Sequence, residues 1–322
     1  MLFYVLMKRW IPVDGLRKGI MIEENIKCTL CGCESIEKID STIRNADNSI
    51  YKMYRCSECE THFLYPLPEE SQLENYYDGE FRSQVHTKNY YDKEKLDGTF
   101  NYFLPEARAR LNRVVNELKP TDSVLEVGCS VGYFMSLIAP HVESVYGTEW
   151  DLKAGAYVKD RFPDFNIAKN PEDFGRSFDR IFLYHVLEHV EKPIEFLKGL
   201  GKMLNPGGVI YVEVPNADDA LIKTYKCKAF MAHYYKLAHL YNFTKKSLSY
   251  VIEQAGLVGG VGFIQRYGLS NHMVWLRDGL PGGEGRFSNI ISPEAETEYR
   301  YSLWQNGQAD TLFAKIRRGD DE

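Results

Sequence analysis

Between Pro105 and Pro120 the apolar residues recur at the spacing of one helical face: Ala107, Leu111, Val114, Val115 and Leu118 form a stripe that Pro120 ends. Beyond it the period changes. Short apolar runs at 123–128, 144–149, 178–185 and 208–214 read as strands, and the stretches at 133–139, 154–162 and 193–204 read as helices between them. Strands alternating with helices in this way predict βαβ units and a parallel sheet covered on both faces. Thr244 is a predicted N-cap for a helix over 245–256 that Gly256 stops. Segments 257–267 and 310–316 then read as a closing antiparallel pair on the sheet edge.

Ahead of this domain the texture differs. Residues 1–20 read as an extension, with Met21 as a second plausible start. Residues 21–68 carry short segments and cysteines, and 69–104 form a tyrosine-rich connector with Tyr76-Tyr77 and Tyr90-Tyr91. The remainder, 105–322, holds the alternating pattern, with a polar, aromatic insertion at about 216–243. The apolar fraction of 44% over 322 residues supports a real core and excludes a disordered chain. A net charge of −6 disfavours nucleic acid as a partner. No apolar run approaches the ~18 residues of a membrane span. The seven cysteines, an odd number, include two Cys-x-x-Cys pairs, a usage that fits reduced thiols and a cytoplasmic protein.

The segment from Val124 to Gly132 runs a strand into a glycine turn and then a helix. Gly128 and Gly132 permit a tight turn and close approach of a ligand. Glu126 precedes the turn, and Glu149, about 20 residues on at the end of the next strand, is placed to accept the hydroxyls of a ribose. The loop lacks Gly-x-Gly-x-x-Gly and the Gly-Lys-Ser/Thr of a phosphate loop, so a nucleoside cofactor fits better than a dinucleotide or a triphosphate.

Here the sequence resembles class I S-adenosylmethionine-dependent methyltransferases, and the resemblance runs over roughly residues 105–260. Glu149 matches the ribose-binding acid, Phe178–His189 the fourth-strand segment, and Leu204–Asn216 the fifth. It implies a Rossmann-like α/β fold, a seven-stranded methyltransferase sheet preceded by a small N-terminal zinc-ribbon domain. It also implies that Glu126, Gly128, Cys129, Gly132 and His185 line the cofactor. Trp150 would cover the adenine, unless it is simple core, and Asp173 or Phe174 would edge the ring.

Cys28, Cys31, Cys56 and Cys59 form two knuckles, the donor set of a tetrahedral structural Zn²⁺ site with no position left for chemistry. The alternatives are a redox dithiol and unpaired core cysteines. Cys33 is spare, and His62 is a less favoured ligand.

His185, Glu188 and His189 share a helical turn at the carboxyl end of a strand, which suits either a divalent-metal site or a general base. The segment from Lys236 to Leu248 resembles sugar C-methyltransferases with an N-terminal zinc domain, and His239 aligns with their base. Lys236 and Ala238 replace the Tyr and Glu of that pattern, which favours a hydroxyl over a carbon as acceptor. The tail resembles methyltransferases of surface-polysaccharide and secondary-metabolite sugars; Arg266, Tyr267, Asn271 and His272 would then contact the acceptor. Tyr76 and Tyr77 would close over it, and Glu188 would line its pocket. The expected reaction is O-methylation of a nucleotide-linked sugar or glycan precursor, with His239 or His189 as base. Sugar C-methylation, rRNA or tRNA methylation, and a non-catalytic cofactor-binding zinc scaffold are the rival readings.

Overall fold

The computed structural model describes residues 26–69 and 93–319. Tyr76, Tyr77 and the expected extension lie outside the described residues. Helix α1 (Lys93–Val114) starts a dozen residues before the predicted stripe and runs through Pro105. Proline removes one ladder bond from a helix interior. Burial of Leu96 and Phe100 against Val131, Ala154, Tyr157 and Val158 offsets that loss and carries the helix through.

The main sheet is built from β4 (Ser123–Val127), β5 (Ser144–Thr148), β6 (Asn166–Ala168), β7 (Phe178–Tyr184), β8 (Leu204–Pro215), β10 (Leu257–Ile264) and β11 (Thr311–Arg318), in the order β10-β11-β8-β7-β4-β5-β6. The pairs from β8 through β6 are parallel, while β11 lies antiparallel between β8 and β10, which is the expected closing pair. Helices α2 (Tyr133–Ile138), α3 (Leu152–Arg161) and α4 (Pro193–Lys202) occupy the expected crossovers. Strand β6, of three residues, is too short to show a period in the sequence.

A second sheet joins β1 (Ile36–Lys38), β2 (Lys52–Cys56) and β3 (His62–Tyr65) to β9 (Tyr241–Asn242), which comes from the insertion. His62 pairs with Asn242 and Phe63 with Tyr241. One hydrophobic cluster runs from Cys28, Met53 and Phe63 through Tyr235, Tyr241 and Phe243 to Leu125 and Leu183 of the main sheet. A block this small cannot bury enough surface alone, so it shares its core with the domain behind it. The insertion also carries α5 (Ala220–Lys223) and α6 (Lys228–Tyr234), and α7 (Lys245–Gln254) follows it with Thr244 in a capping box. Helices α8 (Leu269–Asp278) and α9 (Pro293–Gln305) precede β11. Among the described residues no helix is long and apolar enough to cross a membrane.

Candidate active site

Val127 is in register with Thr148 and Leu183, and Tyr184 with Glu213, so β4, β5, β7 and β8 end along one edge. Open α/β sheets bind ligands at that edge. Gly128 (φ 73°) and Gly132 (φ 78°) adopt the left-handed conformation, and a Cβ on Gly128 would lie 2.8 Å from Val186 Cγ2. Ser130, at φ 50°, continues the sharp turn. The backbone N–H of Ser130 donates to Glu149 Oε2 at 2.8 Å, and that of Asp151 donates to Oε1 at 2.8 Å. These two bonds fix Glu149 over the glycine loop. Trp150 is 50% exposed rather than core, with the Lys169 ammonium 5.3 Å from its ring centre.

Three expected cofactor contacts have partners within the protein. The Cys129 side chain is buried, and its sulfur fills the space over Gly147, so only its backbone belongs to the loop. Asp173 closes a capping box with Asn170, while Phe174 packs edge-on against Tyr146 and Phe178.

Beneath the edge lies a buried charge network. Arg110 donates to Glu213 Oε1 through Nε at 3.0 Å and Nη2 at 2.8 Å, and Arg113 donates to Oε2 at 2.6 Å. Burial alone would raise the Glu213 carboxyl, but the His185 hydrogen bond and the two guanidiniums hold it well below the usual range. His185, at φ 57°, sits with Nδ1 3.3 Å from Glu188 Oε1 and Nε2 3.5 Å from Glu213 Oε1. Burial lowers its pKa, yet the two carboxylates outweigh burial and raise it. Glu126 is also buried; burial lifts its carboxyl to about 8 against the opposing pull of Arg110, and its Oε2 has no hydrogen-bond partner. Sequence reasoning missed Arg110, Arg113 and Glu213. Their signals are a charged residue on the apolar stripe of α1 and another inside the apolar run of β8.

The two candidate bases meet. His189 ends a 3-10 turn after β7, His239 lies in the insertion, and their ring centres are 4.9 Å apart, edge to face. His189 Nδ1 donates to the carbonyl of Ala238 at 2.7 Å. Burial lowers the pKa of both imidazoles, and Lys236 lowers His239 further, so both are neutral at pH 7. Arg44 reaches the same region: its N–H donates to the Tyr235 carbonyl at 2.9 Å and its carbonyl accepts from Leu237 N–H at 3.0 Å. Arg44 Nε and the Tyr234 hydroxyl are buried without a hydrogen-bond partner. Burial, then the Arg44 charge, lowers Lys236 to about 8.

The expected acceptor residues separate. Arg266 is held by Asp310, through its backbone N–H at 2.7 Å and Nε at 3.0 Å, and by Glu106 at 3.2 Å. Tyr267 is exposed beside it. Asn271 and His272 are buried on α8, His272 bonding to the Tyr299 hydroxyl at 2.8 Å and Asn271 lying under the Gly283 turn. The buried face of α8 turns both inward, where they pack against neighbouring segments.

The four cysteines Cys28, Cys31, Cys56 and Cys59 bring their sulfurs within 4.8 Å of one another, with Cys28–Cys59 at 3.7 Å and Cys31–Cys56 at 3.5 Å. A zinc–sulfur bond of ~2.3 Å in a tetrahedron gives sulfur–sulfur edges of about 3.8 Å. The cluster fits that ion. Cys33 bonds to Ser35 instead, and His62 bonds to the Tyr235 hydroxyl.

The sequence model of a family described as a methyltransferase domain matches residues 100–259. A protein of Mycolicibacterium smegmatis named "Probable S-adenosylmethionine-dependent methyltransferase" is 31% identical over 121 residues, 36% of this chain and 46% of that protein. The tRNA U34 carboxymethyltransferase of Campylobacter curvus is 32% identical over 107 residues, 30% of this chain and 35% of that protein. The chain thus spans less than half the length of these curated relatives. Among solved structures, an S-adenosylmethionine-dependent methyltransferase from Archaeoglobus fulgidus is 17% identical with a TM-score of 0.45, over 67% of this chain and 94% of that one. The strand order, the glycine loop with Glu149 above it and the matched segment agree: this chain contains a class I S-adenosylmethionine-dependent methyltransferase domain.

Proposed function

We propose that the protein transfers a methyl group from S-adenosylmethionine to a hydroxyl of a small acceptor, a nucleotide-linked sugar or glycan precursor. The observation that carries this reading is the convergence of His189 and His239, contributed by segments some fifty residues apart, at the carboxyl edge of the sheet. S-adenosylmethionine supplies an electrophilic methyl on a sulfonium when bound. Glu126 offers a buried carboxyl to its ammonium, Glu149 accepts from the ribose, Trp150 presents an exposed ring to the adenine, and the Gly128–Gly132 backbone admits the chain between them. Positioning dominates such a displacement. A neutral imidazole removes the hydroxyl proton as the methyl moves.

Two neutral histidines of lowered basicity suit a hydroxyl better than a carbon acid. Arg44 and Lys236 bring two positive side chains to the same region, and no carboxylate bonds to either among the described residues. That charge suits an anionic acceptor such as a sugar diphosphate. The four-cysteine cluster holds a structural zinc that fixes β1–β3 against the insertion.

The test is incubation of the protein and S-adenosylmethionine with pooled nucleotide sugars, with products read by mass. A gain of one methyl, lost in His189→Ala and His239→Ala variants that still bind the cofactor, supports the proposal. Methylation confined to tRNA, or cofactor binding without turnover on any acceptor, refutes it.

A further inference from the structure

An isolated parallel bridge pairs Arg44, in the cysteine block between β1 and β2, with Lys236 of the insertion. The Arg44 N–H donates to the Tyr235 carbonyl and the Leu237 N–H to the Arg44 carbonyl, so the backbone fixes the pairing. Residues paired across such a bridge project their side chains to the same face. Two positive charges are thereby held side by side, which costs free energy unless a negative charge joins them. Among the described residues no carboxylate bonds to either side chain. Glu188 acts on Lys236 from a distance but bonds to His185.

The donors around this pair are left without acceptors. Arg44 Nε and the Tyr234 hydroxyl are buried and have no hydrogen-bond partner. Buried donors in this state are costly unless something accepts from them. Arg44 Nη1 donates to His233 Nδ1 at 3.2 Å, an imidazole that burial, then Arg44 and Lys236, keep neutral. Burial holds the Tyr234 phenol well above its ordinary pKa, so it remains a donor. Asp218 and Asp219 act on Tyr234 as well, but Lys223 pairs with the first and the Leu221 N–H occupies the second. Lys236 also acts on His189 and His239, which sets the cations beside the crevice where those two rings meet.

We infer that Arg44, Lys236 and Tyr234 form a subsite for a phosphoryl or diphosphoryl group, with the cysteine block supplying one wall of it. A guanidinium pairs with two phosphate oxygens at once, an ammonium adds a compact point charge, and the phenol donates to a remaining oxygen. Two positive charges match a dianion. The cysteine block then does more than complete a small sheet, because it carries Arg44 to the ligand. That this group belongs to the methyl acceptor rests on the methyl-transfer reading; the binding itself does not.

The experiment is calorimetric titration of the full-length, zinc-loaded protein with inorganic pyrophosphate and, separately, with uridine diphosphate. The expected result is one site per chain with a Kd below about 1 mM for at least one probe, and affinity reduced at least about tenfold in Arg44→Gln and in Lys236→Met, the loss expected for a charged hydrogen-bond partner. Equal affinity for the two probes means that the subsite reads the phosphates alone; tighter uridine diphosphate means that it reads a nucleoside as well. Zinc content and melting temperature show whether the charge variants are folded. If they are not, Tyr234→Phe decides, since it removes one hydroxyl and keeps the ring; its affinity should fall about fivefold. Absence of binding by both probes at millimolar concentration, or unchanged affinity in the folded variants, overturns the inference. The titration contains no cofactor, so its failure is distinguishable from failure of the methyl-transfer reading, which product mass judges.

Discussion

Glu126→Gln tests whether burial, rather than a charge partner, governs the carboxyl in front of the glycine loop. Burial raises this group from 4.5 to about 8, with Glu149 adding to the rise and Arg110 opposing it. Between those pH values the folded state binds a proton that the unfolded state has released. Stability therefore falls as pH rises through this window, because the native state binds more protons there. The gap, at ~1.4 kcal/mol per pH unit, puts a ceiling of about 5 kcal/mol on the loss. Glutamine keeps the shape of the protonated acid and cannot ionise. The variant should exceed wild type modestly near pH 6, where the wild type has lost only part of this stability, and by several degrees more in Tm near pH 8.5, since ~1 kcal/mol moves Tm by about 2–4 °C in a domain of this class. The assay is thermal melting of the cofactor-free protein and its variant at both pH values; comparing the two proteins cancels other groups that titrate there. Calorimetric titration with S-adenosylmethionine in two buffers of different ionisation enthalpy adds a second reading. With the cofactor's ammonium placed beside Glu126 as proposed, binding near pH 7 should release a proton in wild type and none in the variant. An identical Tm difference at the two pH values would falsify the assignment of a buried, protonated Glu126.

Removing Arg110 with Arg110→Met leaves Glu213 buried with only Arg113 and His185, and breaking a buried pair costs roughly 3–5 kcal/mol; urea unfolding should show that loss, and a change near zero would mean that the network relaxes. Chelation of the zinc proposed for the four cysteines, or Cys59→Ser, should lower the melting temperature of the whole protein rather than release a small separate transition, because β3 pairs with β9 and one cluster spans both parts. Two transitions in calorimetry would contradict that coupling. Burial lowers His189 below 6.5, so the acid limb of kcat/KM should fall below pH 6.5, and a limb above it would point to a different base.

Much of the main sheet was legible in the sequence because its signals are local. Strands β4, β5 and β7 begin at the expected residues and end within one residue of the expected limits, as a buried parallel strand writes its burial into a continuous apolar run. The glycine loop and Glu149 were legible for a similar reason: a turn of positive φ next to a strand end needs particular residues at fixed spacing. The four cysteines declared themselves by pairing.

Only the tertiary structure decided how the distant pieces meet. His189 and His239 are some fifty residues apart, and nothing local states that a two-residue strand, β9, completes the cysteine block's sheet and carries His239 to the edge of the other. Nor does local spacing distinguish a polar residue facing a crevice from one turned inward, which is why the inward placement of Asn271 and His272 was not legible. The charges on α1 and β8 carried the same ambiguity until Arg110 and Glu213 were placed side by side. Periodicity reports which face of an element is buried; what that face is buried against depends on contacts between distant segments, and those are set by the whole chain at once.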